Sequence, residues 1–332
     1  MSKRLVSITD ANQAIGLGHA MRQLGLVQYA KKVGWDVSLY SASSQVKDIA
    51  EKNGIHHLLF PSLQSACKQL DDNIELVVDV HQRDLSSLYS ELKSSKAVTL
   101  ISDVGYDYPV FGAHIVLVGN NLDVWSKDKV IVATNHEVVF HSGRKWMIFR
   151  DEFSEERPPI SRNPKKVLVC HGGSDPHGLT ELTLHSLNLV ETDLTITVLA
   201  TDNFPSLSRV KILASDHKYP VDVIVNASSV RSYMEEANFA IINGGNVRYE
   251  LCLVGTPYIA ISFQQAQYEF TQQLSKQGIG VNLGLAANLS RELLAASIIQ
   301  FYEDQENKIK MNKAMKNLFD LQGSHRILDL FI

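Results

Sequence analysis

Cysteine is scarce in this 332-residue sequence, and neither sign of charge dominates it. Its three cysteines, Cys67, Cys170 and Cys252, lie far apart, which excludes a disulfide frame or a thiol-built zinc site and fits a reducing compartment. Lys and Arg number 32 against 36 Asp and Glu, a net charge of −4, so no overall field draws the chain to a polyanion, and nucleic acid is not expected as a partner. The longest apolar run, around Leu251 to Phe263, is interrupted by Gly255, Thr256 and Pro257. It falls short of the ~20 residues a membrane span needs. The start, Met1 to Arg4 leading straight into Leu5, Val6, Ser7 and Ile8, has no export signal. A cytoplasmic chain without a membrane span is expected. Also absent are the GxGxxG, Walker and GxSxG patterns, which argues against nicotinamide, nucleoside-triphosphate and serine-hydrolase chemistry. No cofactor is expected, and His56 and His57 lack a further ligand at metal spacing, so no metal is expected either.

What the sequence does have is 45% apolar residues, enough to fill two cores, arranged in a strand-helix rhythm. Short β-branched runs at Leu5 to Ile8, Val37 to Tyr40, Leu58 to Phe60, Leu76 to Val78 and Val98 to Ile101 alternate with helical segments such as Ala20 to Lys32 and Gln45 to Lys52. Between Glu155 and Pro164 three prolines and several charges interrupt the pattern, which places a linker and hinge there. The rhythm restarts at Val167 to Val169 and continues through Ile196 to Leu199, Val221 to Val225, Phe239 to Ile242, Tyr258 to Ile261 and Val281 to Leu283. A long amphipathic stretch from Arg291 to Leu321 follows. The expected fold is α/β with two Rossmann-like domains: residues 1–155 on the sugar or acceptor side, residues 165–320 on the nucleotide side, and 321–332 as a C-terminal tail. Ligands bind outside the carboxyl ends of parallel strands, so the active site is expected where two such sheets face one cleft.

Four polar loops fall at those strand ends. In Gly16-Leu17-Gly18-His19, glycines let the backbone approach a ligand, and His19 stands at a helix start, where the positive end of the dipole disfavours the protonated ring. His19 is thus a candidate base, although a strand-to-helix turn with a packing histidine has the same spacing. The second loop, His171-Gly172-Gly173-Ser174-Asp175-Pro176, offers backbone donors and a hydroxyl to a sugar or phosphate. The third, Asn243-Gly244-Gly245-Asn246, opens a helix that carries Glu250; bare N–H groups there suit a diphosphate, and Glu250 suits ribose hydroxyls. Gln264 to Gln267 supplies amides at the next strand end. Arg22, Lys145 and Arg248 are candidate cations for a dianionic ligand.

Several of these residues recur in one order: Asp10, Ile15-Gly16-Leu17-Gly18-His19 and Arg22, then Gly143 to Phe153, then Gly172 to Pro176, then Gly244-Gly245 with Glu250, Gly255 and Pro257. In that order they resemble the UDP-sugar hydrolase of pseudaminic acid biosynthesis, which releases UDP from UDP-2,4-diacetamido-2,4,6-trideoxy-β-L-altropyranose. The resemblance implies a GT-B fold, a catalytic base at His19, and a UDP site at Gly173, Gly244, Gly245, Asn246 and Glu250 that needs no metal. It also implies substrate contacts at Asp10, Gly16, Gly18, Arg22, His81, Ser174 and Gln267. Three positions depart from the hydrolases and related transferases: His81 stands where a Tyr is usual, Ala266 replaces an Asn before Gln267, and Asn246 replaces a Ser or Thr. Two activities are therefore carried forward. One is hydrolysis of a UDP-activated amino-deoxy sugar, with water attacking the anomeric carbon. The other is an inverting glycosyltransferase that uses a UDP- or CMP-sugar and a sugar or protein acceptor, in surface polysaccharide or flagellin glycosylation.

Overall fold

The computed structural model describes residues 3–12, 16–81, 88, 97–101, 113–117, 129–132, 137–154 and 163–331. The chain forms two compact units, Met1–Ser154 with Phe319–Ile332, and Glu155–Leu318.

In the first unit β1 (Arg4–Thr9), α1 (Gly18–Lys32), β2 (Asp36–Ser41), α2 (Ser44–Lys52), β3 (His56–Leu59), α3 (Leu63–Cys67), β4 (Glu75–Asp79) and β5 (Val98–Ile101) follow the predicted rhythm. Gly34, at φ +89°, ends α1 and turns the chain into β2. Three strands were not evident in the sequence: β6 (His114–Leu117), β7 (Lys129–Val132) and β8 (Glu137–His141). They have four or five residues each. The sheet order is β3-β2-β1-β4-β5-β6-β8-β7. All the pairings are parallel except β7 with β8. Successive residues serve opposite faces: Val6, Ile8, Leu76 and Val78 enter one core cluster and Leu5, Leu39, Val77 and Val98 the other. The helix expected near Leu85 to Leu92 lies, Leu88 apart, outside the described residues.

The second unit contains β9 (Asn163–Cys170), α4 (Leu179–Leu187), β10 (Thr195–Ala200), α5 (Leu207–Ser215), β11 (Val221–Val225), α6 (Arg231–Glu236) and β12 (Ala237–Asn243). It continues with α7 (Val247–Val254), β13 (Tyr258–Ser262), α8 (Gln265–Lys276), β14 (Val281–Leu285), α9 (Arg291–Glu303) and α10 (Gln305–Met315). Its sheet is wholly parallel in the order β11-β10-β9-β12-β13-β14. Pro164 occupies the second position of β9, where the strand is still exposed and a missing N–H costs little. The rest of the expected hinge, residues 155–162, lies outside the described residues.

The amphipathic stretch from Arg291 to Leu321 divides at Asp304, which leaves helical geometry and whose carboxylate accepts the N–H of Asn307 at 3.0 Å to start α10. Residues 321–331, most of the expected C-terminal tail, pack on the first unit. They form α11 (Gly323–Asp329), which belongs to the first unit and puts Ile327 and Leu328 into its core beside Trp146 and Ile148. Packing is close enough that a Cβ at Gly323 would meet the Met147 carbonyl oxygen at 1.9 Å, and one at Gly25 in α1 would meet that of Phe149 at 2.5 Å. Much of the Gly143 to Phe153 segment therefore serves as the plate on which α1 and α11 are mounted.

Candidate active site

In both sheets the chain starts on a central strand, winds outward through two more, then returns to the first strand's other side. The reversal falls between β1 and β4 in the first unit and between β9 and β12 in the second. Loops diverge at such a point and leave a crevice at the carboxyl ends of the strands. Nearly all the candidate residues lie at these two points.

At the first, β1 and β4 run in register to Thr9 and Asp79, and His19 is the second residue of α1. His19 Nδ1 lies 2.7 Å from Asp79 Oδ1. Arg22, one turn on, donates from Nε to Oδ2 at 2.8 Å and from Nη2 to Oδ1 at 2.7 Å. Gln23 adds a fourth donor, from Nε2 to Oδ2 at 2.9 Å, and its own Oε1 accepts the Ser7 hydroxyl at 2.5 Å. The fully buried Asp79 carboxylate thus holds four hydrogen-bond donors. Burial alone would push its pKa up; the charge of Arg22, then that of His19 when its ring is protonated, outweighs burial, and their hydrogen bonds help hold the carboxyl well below the usual carboxylate range. An ionised carboxylate only accepts, so Nδ1 of His19 carries the proton and Nε2 is the basic nitrogen. The 3.2 Å approach of Arg22 Nη2 to Nδ1 follows, since both donors converge on one oxygen. Nε2 makes no hydrogen bond among the described residues, and the imidazole is 14% exposed. A ring fixed by a carboxylate at one nitrogen, with the other open, is the arrangement of a general base. His81 stands edge-on to it, with ring centroids 6.5 Å apart. Asp10 accepts its neighbour's N–H, from Ala11, at 2.8 Å, and Gly16 turns at φ +73° ahead of Gly18, the first residue of α1.

The side chain of Arg22, expected as a substrate contact, is 4% exposed and forks onto Asp79, where it positions the acid partner of His19.

The second crevice is built chiefly from backbone and uncharged side chains at its turn. Asn243, ending β12, ties the two central strands together: Nδ2 donates to the His171 carbonyl at 2.6 Å, and Oδ1 accepts the Gly245 N–H at 3.0 Å. A Cβ on Gly244 would lie 2.9 Å from Gln267 Cβ and 3.1 Å from the Ser262 and Thr271 hydroxyls, so only glycine lets this turn lie flat on α8. The N–H groups of Asn246 and Val247, at the start of α7, meet no acceptor among the described residues. Glu250 is in the first turn of that helix. Gln267 is buried, with Oε1 3.3 Å from the Phe263 N–H. Phe263 in turn stacks on His177, with centroids 4.4 Å apart.

Beyond the β9 loop the first N–H groups of α4 are taken. Asp175, at φ +35°, accepts from Leu179 at 2.9 Å and Thr180 at 2.8 Å, so α4 is capped by its own chain. Gly173 gives its carbonyl to the Thr201 hydroxyl, and Ser174 is buried. His171 is fully buried, with Nε2 2.9 Å from the Thr183 hydroxyl; burial pushes its pKa down, and Asp175 only partly offsets this. Arg248 is also fully buried, and Lys145 sits in the turn whose carbonyl accepts from Arg326 of α11 at 2.6 Å.

No family model matches the chain. It is 21% identical over 282 residues, 80% of its length, to the uncharacterized protein MJ1062 of Methanocaldococcus jannaschii. It is 22% identical over 204 residues, 60% of its length, to the spore coat polysaccharide biosynthesis protein SpsG of Bacillus subtilis. The matches span 57% and 60% of those two relatives' own lengths. Among solved structures, a glycosyltransferase from Rickettsia africae is similar over 99% of this chain and 98% of its own, at TM-score 0.65 and 15% identity. HepE of Anabaena in complex with UDP-glucose is similar over 98% and 99%, at TM-score 0.63 and 12% identity. The chain has the GT-B fold.

Within this GT-B chain, reading the sequence missed Asp79 as the partner of His19, and with it Gln23 and Ser7. The one available signal was an acidic residue ending an apolar run, Leu76-Val77-Val78-Asp79, where a parallel strand would expose it at its carboxyl end. Among the described residues no group of three His, Cys, Asp or Glu is placed to hold a metal ion, and no helix is long and apolar enough to cross a membrane.

Proposed function

We propose that this protein is a nucleotide-sugar enzyme in which His19 deprotonates an acceptor oxygen and the β9 and β12 loops hold the nucleoside diphosphate. The hydrogen-bonded Asp79–His19 pair carries this reading, because it leaves a basic nitrogen fixed in direction at a strand end. Nε2 takes the acceptor's proton while the acceptor oxygen bonds to the anomeric carbon. The bond from that carbon to the diphosphate breaks, and its electron pair leaves on the phosphate oxygen. Asp79 stabilises the imidazolium so formed, and Arg22 and Gln23 keep Asp79 ionised and in place. For the departing charge, the N–H groups of Asn246 and Val247 at the start of α7 are the donors, and Glu250 suits the ribose hydroxyls.

UDP is the nucleotide the reading favours, since the structurally similar HepE binds UDP-glucose. For the acceptor, the glycosyltransferase architecture and the polysaccharide-biosynthesis role in the name of SpsG support a hydroxyl of a sugar or protein over water. Hydrolysis of a UDP-activated amino-deoxy sugar rests on the sequence resemblance alone. One assay separates them: the protein is incubated with UDP-sugars, with and without acceptor glycans, and UDP and sugar are quantified. UDP release that needs an acceptor and yields a larger glycan supports transfer. Equimolar UDP and sugar without an acceptor establish hydrolysis instead. Unchanged turnover in His19→Ala would remove the mechanism under either outcome.

A further inference from the structure

Two aromatic rings from loops on either side of β12 lie face to face. His177 belongs to the loop after β9 and Phe263 follows β13, the two strands that flank β12 in the sheet. Their centroids are 4.4 Å apart and their planes 28° from parallel. Each ring is anchored from its own side. The N–H of Gly178 donates to the Asp175 carbonyl at 3.2 Å, which closes the turn that carries His177, and the Phe263 N–H donates to Gln267 Oε1 at 3.3 Å. These contacts complete a circuit round the Asn243–Gly244–Gly245 turn, because a Cβ on Gly172 would lie 3.1 Å from Asn243 Nδ2 and one on Gly244 2.9 Å from Gln267 Cβ. His177 is exposed, and its two ring nitrogens make no hydrogen bond among the described residues. The cations expected for a dianionic ligand are engaged elsewhere: Arg22 forks onto Asp79, and Arg248 donates to the Gly244 carbonyl.

From this arrangement we infer that His177 donates a side-chain hydrogen bond to the diphosphate of the bound nucleotide, and that Phe263 is the positioning residue that aims it. The inference rests on the nucleotide reading of the β9 and β12 loops given above. An imidazole has a donor to offer in either state, from one nitrogen when neutral and from both when protonated. A fully ionised diphosphate presents only acceptors. The ring of Phe263 shields one face of the imidazole and restricts its rotation, so less freedom is lost when the ligand binds. Its π-face also favours the imidazolium that an adjacent anion promotes. The N–H groups of Asn246 and Val247 serve the same anion from the start of α7, and His177 adds the one donor that a side-chain substitution can remove without touching the turn.

Calorimetry on the full-length protein with UDP, uridine and UDP-glucose tests this, with the melting temperature of each variant recorded. His177→Ala is expected to lower UDP affinity by roughly tenfold and to leave uridine affinity within about twofold, since one charge-assisted hydrogen bond is lost. Phe263→Leu keeps the imidazole but frees it, and should lower the UDP-over-uridine ratio by about threefold. Should Phe263→Leu fail to fold, Phe263→Met takes its place with the same expectation. Unchanged UDP affinity in His177→Ala overturns the inference, and a loss confined to UDP-glucose overturns it in favour of a stack that meets the sugar ring. Equal losses for UDP and uridine also overturn it, because they mark a purely structural histidine. An unchanged ratio in the Phe263 variant removes the positioning role of that ring. If the unmodified protein binds no UDP, the nucleotide reading itself fails and this inference with it, whereas UDP binding that His177→Ala leaves intact removes only the role of His177.

Discussion

The two strand reversals share a topology and differ in chemistry. Between β1 and β4 the sequence spends charge: a buried carboxylate, a buried guanidinium and an imidazole interlock within 3.2 Å of one another. Between β9 and β12 the corresponding place is filled by glycines, an asparagine and a neutral buried histidine, and the Arg248 guanidinium donates to the Gly244 carbonyl. A proton acceptor needs its direction and charge state fixed from behind, and an ionic cluster does that. An anion site needs bare backbone donors and close approach, and glycine does that. Under the proposed function, one architecture used twice would separate a site that reacts from a site that holds.

Substitutions should break the two sites in different currencies. Asp79→Asn is expected to do most damage, because the amide cannot hold His19 in the required tautomer and leaves Arg22 buried without its anion. Turnover should fall by roughly 10³-fold or more, and denaturant titration should show a loss of about 3–5 kcal/mol. The pH dependence has a definite sign. A carboxyl whose folded pKa is depressed contributes fully above its unfolded value of about 3.9, and that contribution disappears as pH falls through the folded value. Asp79→Asn should therefore flatten the acid limb of stability; an unchanged limb would show that Asp79 is not the ionised partner.

His19→Ala should lower turnover by about 10²–10⁴-fold while UDP affinity, read by calorimetry, stays within about twofold. Equal losses in rate and binding would erase the division of labour between the sites. Gly244→Ala inverts that pattern. Its Cβ would clash with Gln267 at 2.9 Å, so UDP affinity should fall by about tenfold, with the rate at saturating substrate much less affected. The smallest effect is expected from Asp175→Ala, which uncaps α4 and should cost about 1–2 kcal/mol in denaturation with little change in turnover. A large loss of UDP affinity there would mean that the β9 loop keeps its hold on the diphosphate only while Asp175 caps α4.

His19 and the β12 glycines were legible in the sequence because their environment is local: a strand end, a helix start, and residues chosen for backbone freedom. Arg22 and Arg248 were not. Each was read as a cation available to a ligand, and both turn inward, since helical periodicity gives the face of a side chain but not what it meets. The strands β6, β7 and β8 escaped notice because a short apolar run by itself does not tell a strand from a buried helical segment. The end of the chain misled for a related reason: a short apolar pattern such as Ile327-Leu328 does not say which core receives it.

The sequence by itself determined the alternation of strands and helices, the doubly wound character of both sheets, and the glycines that bend the loops. Those properties depend on neighbours a few residues apart, where dihedral preference and side-chain period act. Only the tertiary structure decided that Asp79 stands behind His19 across sixty positions of chain, that Arg22 serves this pair, that Arg248 lies beneath the glycine turn, and that the last helix returns to the first unit. Those pairings follow from which strands become neighbours when the chain reverses beside β1 and β9, and burial then forces each charged or polar group to find its partner there.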